Sequence, residues 1–291
     1  MSTSLSSRQR GVLALLSVPA VGFTVLMVAF PVAYTLWLSF RATPLGHASH
    51  FIGTANYARL LHSADFWNSI RVSLLLYVLS LAMELVCGTA LALLLFRMQR
   101  MPAILRSILI SPFMVPPVVV GMMFLIILDP TIGVANWVLG WFGIAPSAWL
   151  ASPMGVIPTI ALIDTWQWTP FVALIVLGGL QSLPPSVYEA ARIDGAPPHR
   201  VFWRITLPLL RPTLVTALIL RSVDLLRFFD IIYVTTQGGP LNASNTLNIF
   251  TFHIGFELFQ FGYASALAVT LTALVFGVVL ALNQLRRAVA W

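Results

Sequence analysis

The chain has 291 residues, 59% hydrophobic and only 9% charged, with a mean hydropathy of +0.92 and a formal net charge of +7. Soluble domains carry about 25% charged residues, so this composition excludes an ordinary water-soluble globule and implies a membrane protein. All 16 basic residues are arginine, which excludes a P-loop lysine and a Schiff-base lysine; if ATP powers this protein, another polypeptide hydrolyses it.

A helix crosses the bilayer with about 20 mostly apolar residues. Six stretches meet that length, at approximately 12–40, 69–96, 104–128, 154–180, 207–234 and 261–285, and predict an all-α polytopic protein with six transmembrane helices. The first is too long for a signal-peptide core of about 7–15 residues and is expected to stay in the membrane. Prolines 19, 31, 112, 116, 117 and 170 lie inside these stretches and predict kinks. With the N-terminus inside, eleven arginines (Arg8, Arg10, Arg97, Arg100, Arg106, Arg192, Arg200, Arg204, Arg211, Arg286 and Arg287) fall on the cytoplasmic side and only Arg41, Arg59 and Arg71 on the other. The positive-inside rule then puts both termini in the cytoplasm. That bias also accounts for the net charge without nucleic acid, because the arginines are scattered between apolar runs rather than gathered on one face. The expected layout is an N-terminal helix and external loop over 1–68, a core membrane domain over 69–285, and a cytoplasmic tail over 286–291.

Between the stretches the loops carry their own signals. "FIGTANYARLL" (Phe51–Leu61) mixes Gly and Asn with large apolar residues, and "DPTIGVANWVLGWFGI" (Asp129–Ile144) reads as a turn followed by a short interfacial helix bearing Trp137, Trp141 and Phe142. The polar, aromatic loop "TTQGGPLNASNTLNIFTFHIGFELFQFG" is expected to fold over the outer mouth. Glu84, alone in the second stretch, is expected to bond a neighbouring helix. The single Cys87 forms no intrachain disulfide and reads as a small buried hydrophobe. No metal-ligand motif or nucleophile elbow is present; His47 and His50, three apart in a loop, are weak evidence for a metal, and nothing points to an enzyme active site.

The fourth and fifth stretches hold charge and aromatics where the membrane interior is expected. "DTWQWTPF" places Asp164, Trp166, Gln167 and Trp168 together, flat rings beside polar groups, as recognition of a sugar requires; tryptophan is also common near membrane interfaces. "LRSVDLLRFFDIIY" sets Arg221, Asp224, Arg227 and Asp230 three residues apart, with Phe228 and Tyr233 among them. Helical neighbours at that spacing can pair as a neutral ladder. An unpaired charge at the bilayer centre costs at least about 2.5–3.5 kcal/mol, so these side chains face protein or a water-filled cavity. They serve as a structural ion-pair lock, as the polar wall of a translocation path, or as both at different residues.

The most specific feature follows the fourth stretch: "PPSVYEAARIDGAPPHRVFWRITLP". Ser186 and Glu189 have the spacing of a capping box for a short helix, Gly195 supplies a break, and the second proline segment restarts a helix that carries Arg200, Val201, Phe202, Arg204 and Ile205. Two helices bent at a glycine make a rigid knob over 186–206 that can fill a groove on a partner; the alternative is an ordinary loop lying on lipid headgroups.

Glu189-Ala190-Ala191, three residues, Gly195, nine residues, Ile205, one residue and Leu207-Pro208 resembles, at every fixed position, the EAA motif of bacterial ABC importer permeases. The likeness extends through "FIGTANY", "GVANWVLGWFGI", "LQSLPPSVYEAARIDGA" and "RFFDIIYVTTQGGP", covers nearly the whole chain, and looks like the maltose-type carbohydrate-uptake subfamily. It implies the type I ABC importer permease fold in a bacterial cytoplasmic membrane. It further implies a second homologous permease subunit, two ATP-binding subunits that hold ATP and magnesium, and a periplasmic or lipid-anchored solute-binding protein. No cofactor is expected in this chain. The same resemblance assigns Glu189, Ala190, Ala191, Asp194, Gly195, Arg200, Phe202, Ile205, Leu207 and Pro208 to coupling with the ATPase. Pro197-Pro198 departs from the polar residues usual after "DGA". Segment five is similar to that of trehalose-type systems and "WQWTPF" to that of polyol systems, so the cargo stays open. A proton-coupled secondary transporter with Asp224 and Asp230 as relays is the alternative.

Overall fold

The computed structural model describes residues 7–44, 46, 48–98 and 102–289. His47, Arg100 and the ends of the expected terminal segments (1–6 and 290–291) lie outside the described residues. The architecture is helical apart from one two-residue antiparallel pair, β1 (Arg41–Ala42) with β2 (His50–Phe51), in which Arg41 faces Phe51.

Four of the expected stretches form single helices: α1 (Ser7–Ser39), α3 (Ala64–Arg97) and α13 (Phe261–Val289), each somewhat longer than expected, and α7 (Val156–Ser182), shifted two residues towards the C-terminus. Among the described residues these four helices are long and apolar enough to cross a membrane, and the bent pair described next makes a fifth span if its two arms count as one. The third stretch is not one kinked helix. It is α4 (Ala103–Ile110) with a 3-10 turn at Ser111–Met114, then α5 (Pro117–Ile127), the two arms bent by 99°. A residue before proline is pushed out of the helical region. Pro116 does this to Val115 (ψ 131°) and Pro117 does it to Pro116 (ψ 138°), which leaves two extended residues between the arms. Single prolines behave otherwise: Pro19, Pro31, Pro170 and Pro212 all sit inside continuous helices. The fifth stretch is α10 (Leu207–Leu226) followed, after a break at 227–229, by α11 (Asp230–Thr235); its charges keep it out of the apolar class.

The chain divides into two units, taken here one at a time. The smaller holds α1, the β pair, α2 (Ala55–Leu61) and residues 251–270. Its polar centre is Asn56, whose Nδ2 donates to the carbonyls of Ser39 (2.8 Å) and Arg41 (3.0 Å), while Tyr57 donates to Ser39 Oγ at 2.8 Å. Arg59 donates to Gln260 Oε1 at 2.9 Å and lies 4.2 Å above the ring of Tyr263.

In the larger unit α3 and α7 pack closely. At Gly88 an added Cβ would fall 2.6 Å from Val172, so only glycine lets the two helices approach this far. One apolar cluster joins Ala92, Val172, Val176, Leu180, Leu210 and Ala217 from α3, α7 and α10. A second joins Leu76, Val156, Ile160, Ile232 and Ile249, which brings α11 and α12 (Leu247–Phe252) into the core. The loop before α12 is part of this core. Ser244, Asn245 and Thr246 are buried, and Ser73 of α3 accepts the Leu247 N–H at 2.8 Å. The outward side chains of these helices, Leu75, Val78 and Val86 among them, are exposed apolar groups, as lipid-facing positions require. Cys87, expected to be buried, is exposed beside Val86 on the same stretch of α3.

The expected interfacial helix is α6 (Val134–Trp141), with Trp137, Trp141 and Phe142 exposed. Asn136 organises the return loop: its Oδ1 accepts from Ser147 N at 3.0 Å and Trp149 Nε1 at 2.8 Å, and its Nδ2 donates to the Pro130 and Ser147 carbonyls. Asp129 accepts from the Ile132 N–H and from both the hydroxyl and the N–H of Thr131, and these bonds hold its carboxyl below the usual carboxylate range.

Candidate functional site: an intramembrane cleft and an exposed helical knob

The fifth stretch does not form the expected ladder. Arg221, Asp224, Arg227 and Asp230 would stack only on an unbroken helix, and α10 ends at Leu226. Phe228 and Phe229 turn inward against the cluster around Ile160 and Ile232, and that packing breaks the helix between Arg227 and Asp230. One rung survives, Arg221 to Asp224 at 3.7 Å.

Arg221 points into the core instead. It is 1% exposed, with Nε and Nη2 each donating to a Glu84 oxygen at 2.7 Å, and Nη2 also reaching Asp164 at 3.1 Å. Trp168 lies 4.1 Å from the guanidinium carbon, face on. Three helices, α3, α7 and α10, are thus joined by one charge set. The bidentate fork is the geometry that offsets the cost of burying an arginine, and the indole face adds cation–π attraction. Glu84 does bond a neighbouring helix; its partner, 137 residues away, had no signal in the sequence.

Beside this set opens a cleft of about 430 Å³. The structure brings six of the expected path residues to its wall: Trp168, Arg221, Asp224, Arg227, Phe228 and Asp230. Pro117, Phe229 and Asn248 complete the lining. Four other candidates stand elsewhere. Asp164 is buried behind the wall on Arg221. Gln167 is buried too, its Nε2 donating at 2.7 Å to the carbonyl of Val115, which the proline break removes from any helix. Trp166 packs edge-on against Phe124, and Tyr233 stacks on Phe229. The sequence reading missed Asn248, whose Nδ2 donates to the Arg227 carbonyl at 2.8 Å. A lone amide inside the apolar run "LNIFTF" was the available sign.

The second candidate site is the knob. It begins two residues earlier than expected, as α8 (Pro185–Ile193). Pro184 takes the N-cap position and Pro185 starts the first turn, where a missing N–H costs nothing, so Ser186 lies inside the helix and forms no capping box. Gly195 adopts φ +65° and ends the helix, with Ala196 N donating to Ala191 O at 2.9 Å. Pro197, extended at ψ 150°, and Pro198, in the first turn of α9 (Pro198–Val201), give the double proline its local role: they set the start of the second arm. That arm continues through a π turn at Phe202–Thr206 into α10. Pro208 has no N–H to offer the Arg204 carbonyl, and the Leu207 N–H reaches back to Phe202 O instead. Tyr188 and Thr206 hydroxyls, 3.2 Å apart, tie the two arms. Ala191 is buried at the bend; Glu189, Ala190, Asp194 and Arg200 are exposed, and Phe202 and Ile205 are half-buried.

Comparison with known proteins agrees with this geometry. The family model for the binding-protein-dependent transport system inner membrane component matches residues 84–289. The chain is 35% identical to the trehalose/maltose transport system permease protein MalF of Thermococcus litoralis, over 94% of this chain and 93% of that one. It is 36% identical to the sulfoquinovosyl glycerol transport system permease protein SmoG of Agrobacterium fabrum, over 89% and 85%. Among solved structures, a subunit of a bacterial alginate ABC transporter in complex with an alginate pentasaccharide-bound periplasmic protein superposes with a TM-score of 0.84 at 22% identity, covering 97% of this chain and 96% of that one. The fold is shared with a bacterial ABC transporter subunit, and the chain belongs to the binding-protein-dependent transport system inner membrane component family, a permease rather than an enzyme.

Proposed function

We propose that this chain is the membrane path and lever of an ATP-driven importer for a small carbohydrate, glycoside or polyol. The observation that carries the reading is a single helical run. From Pro198 to Leu226, α9, the π turn and α10 follow one another without a break, with the exposed knob at one end and Arg221 and Asp224 of the cleft at the other. A push on the knob is transmitted along that run to the wall of the cleft. The knob residues Glu189, Ala190, Ala191, Asp194, Gly195 and Arg200 meet a partner ATPase that binds ATP and magnesium. Phe202, Ile205, Leu207 and Pro208 hold the knob to α10. In the cleft Trp168 offers a ring face to a sugar, and Asp224, Arg227, Asp230 and Asn248 offer acceptors and donors to its hydroxyls.

The complete importer contains a second homologous permease subunit, two ATP-binding subunits and a solute-binding protein that delivers cargo. It sits in the cytoplasmic membrane with both termini inside, residues 69–285 forming the transport core. Relatives named for trehalose, maltose and sulfoquinovosyl glycerol support the carbohydrate class.

Uptake into vesicles tests the reading: it is expected to stop when ATP is depleted and to persist with a protonophore. The reverse pattern would establish the proton-coupled alternative. Gly195→Val is expected to uncouple ATP hydrolysis from transport while the complex still assembles. A β-branched residue at φ +65° costs on the order of 1–2 kcal/mol and re-aims the second arm, although space for the side chain is open. Wild-type uptake in that variant would refute the lever.

A further inference from the structure

The charge balance of the cleft limits what can enter it. Arg221 forms part of the wall, but its guanidinium is already engaged by both oxygens of Glu84, by Asp164 and by the face of Trp168. Asp224 is 47% exposed beside it, and Asp230 is exposed on the same wall. Arg227 stands against these two; its Nε donates to the Val223 carbonyl at 3.2 Å, and among the described residues neither Arg227 nor Asp230 has an ion-pair partner. Four carboxylates thus face two guanidinia in and directly behind one wall. The setting amplifies the imbalance, since charges near a protein surface at an effective dielectric of about 20 act about four-fold more strongly than in bulk water.

We infer that the cleft is an electrostatic filter for uncharged polyhydroxyl cargo, in which Asp224 and Asp230 turn away sugars that carry phosphate, sulfonate or carboxylate. The inference rests on the cleft being the cargo path. Hydroxyl groups satisfy the wall, because each can donate to Asp224 or Asp230 and accept from Arg227. An anionic substituent brings acceptors alone to a wall that already has too many, and it meets Arg227 only in the company of two acids. The two aspartates are therefore specificity-determining residues as well as hydrogen-bond acceptors.

The lone native cysteine permits a test that needs no knowledge of the cargo. In a Cys87→Ser background, Asn248→Cys places one thiol on the cleft wall, with Phe228→Cys as a second site if the first variant does not assemble. The assembled transporter in lipid nanodiscs is treated with a neutral hydroxyethyl and an anionic sulfonatoethyl methanethiosulfonate, and the rates are compared with those of a free thiol. The anionic reagent is expected to lag by about tenfold beyond the free-thiol ratio, and adding Asp224→Asn and Asp230→Asn to restore that ratio to within about threefold. A wild-type ratio at or above the free-thiol value, or a ratio unmoved by the two asparagines, overturns the filter while leaving the cleft as a cargo path. Failure of both reagents to react overturns the path itself, and the filter with it.

Discussion

At the knob, the interactions that set the shape all lie within the segment: prolines 184, 185, 197 and 198 fix the two helix starts, Gly195 turns the chain, Ala196 closes back on Ala191, and Tyr188 ties to Thr206. At the other end of the Pro198–Leu226 run, every bond that matters is long-range: Arg221 meets Glu84 and Asp164 from separate helices, 137 and 57 residues away. The knob is exposed, and single side chains there can change with little effect on the rest of the fold. The charge set is buried and cooperative, so losing one member strands the others. One end presents an exposed helix–glycine–helix surface, and the other joins three helices beside a cleft.

The widest break in that contrast is expected from Arg221→Met, which leaves two acids buried without their cation. Breaking a buried ion pair typically costs about 3–5 kcal/mol, so the variant should lose most of its yield or unfold at markedly lower temperature. Combining it with Glu84→Gln and Asp164→Asn is expected to recover much of that loss, because no buried charge is then left unpaired. A smaller effect is expected from Gln167→Leu, which strands the Val115 carbonyl in the proline break and should cost about 1–3 kcal/mol in thermal unfolding. The smallest belongs to the knob: Ser186→Ala should stay within about 0.5 kcal/mol, because the hydroxyl makes no cap bond. A loss near 1 kcal/mol there would restore the capping box that the two prolines displace.

These variants follow the boundary of what could be read before folding. Proline and glycine act through their own backbone torsions, so the helix–glycine–helix knob and the restart at Pro198 were legible. The start of α8 was misplaced only because Pro184-Pro185 outranks Ser186 as a beginning. The paired prolines 116 and 117 were recognised as a kink, but not as a bend of 99°, nor was the bond from Gln167 to the Val115 carbonyl that the break exposes. Charge spacing misled: a three-residue repeat describes a ladder only while the helix continues, and the inward turn of Phe228 and Phe229 ends it.

The sequence by itself determined membrane residence, the long apolar helices, the short helix at Val134–Trp141, the family motif and the form of the knob, because hydropathy and backbone torsion are local properties. The tertiary structure alone decided which charges pair, which line the cleft, and that Asn248 joins them. Those outcomes depend on which helix faces meet across scores of residues, and no local pattern carries that information.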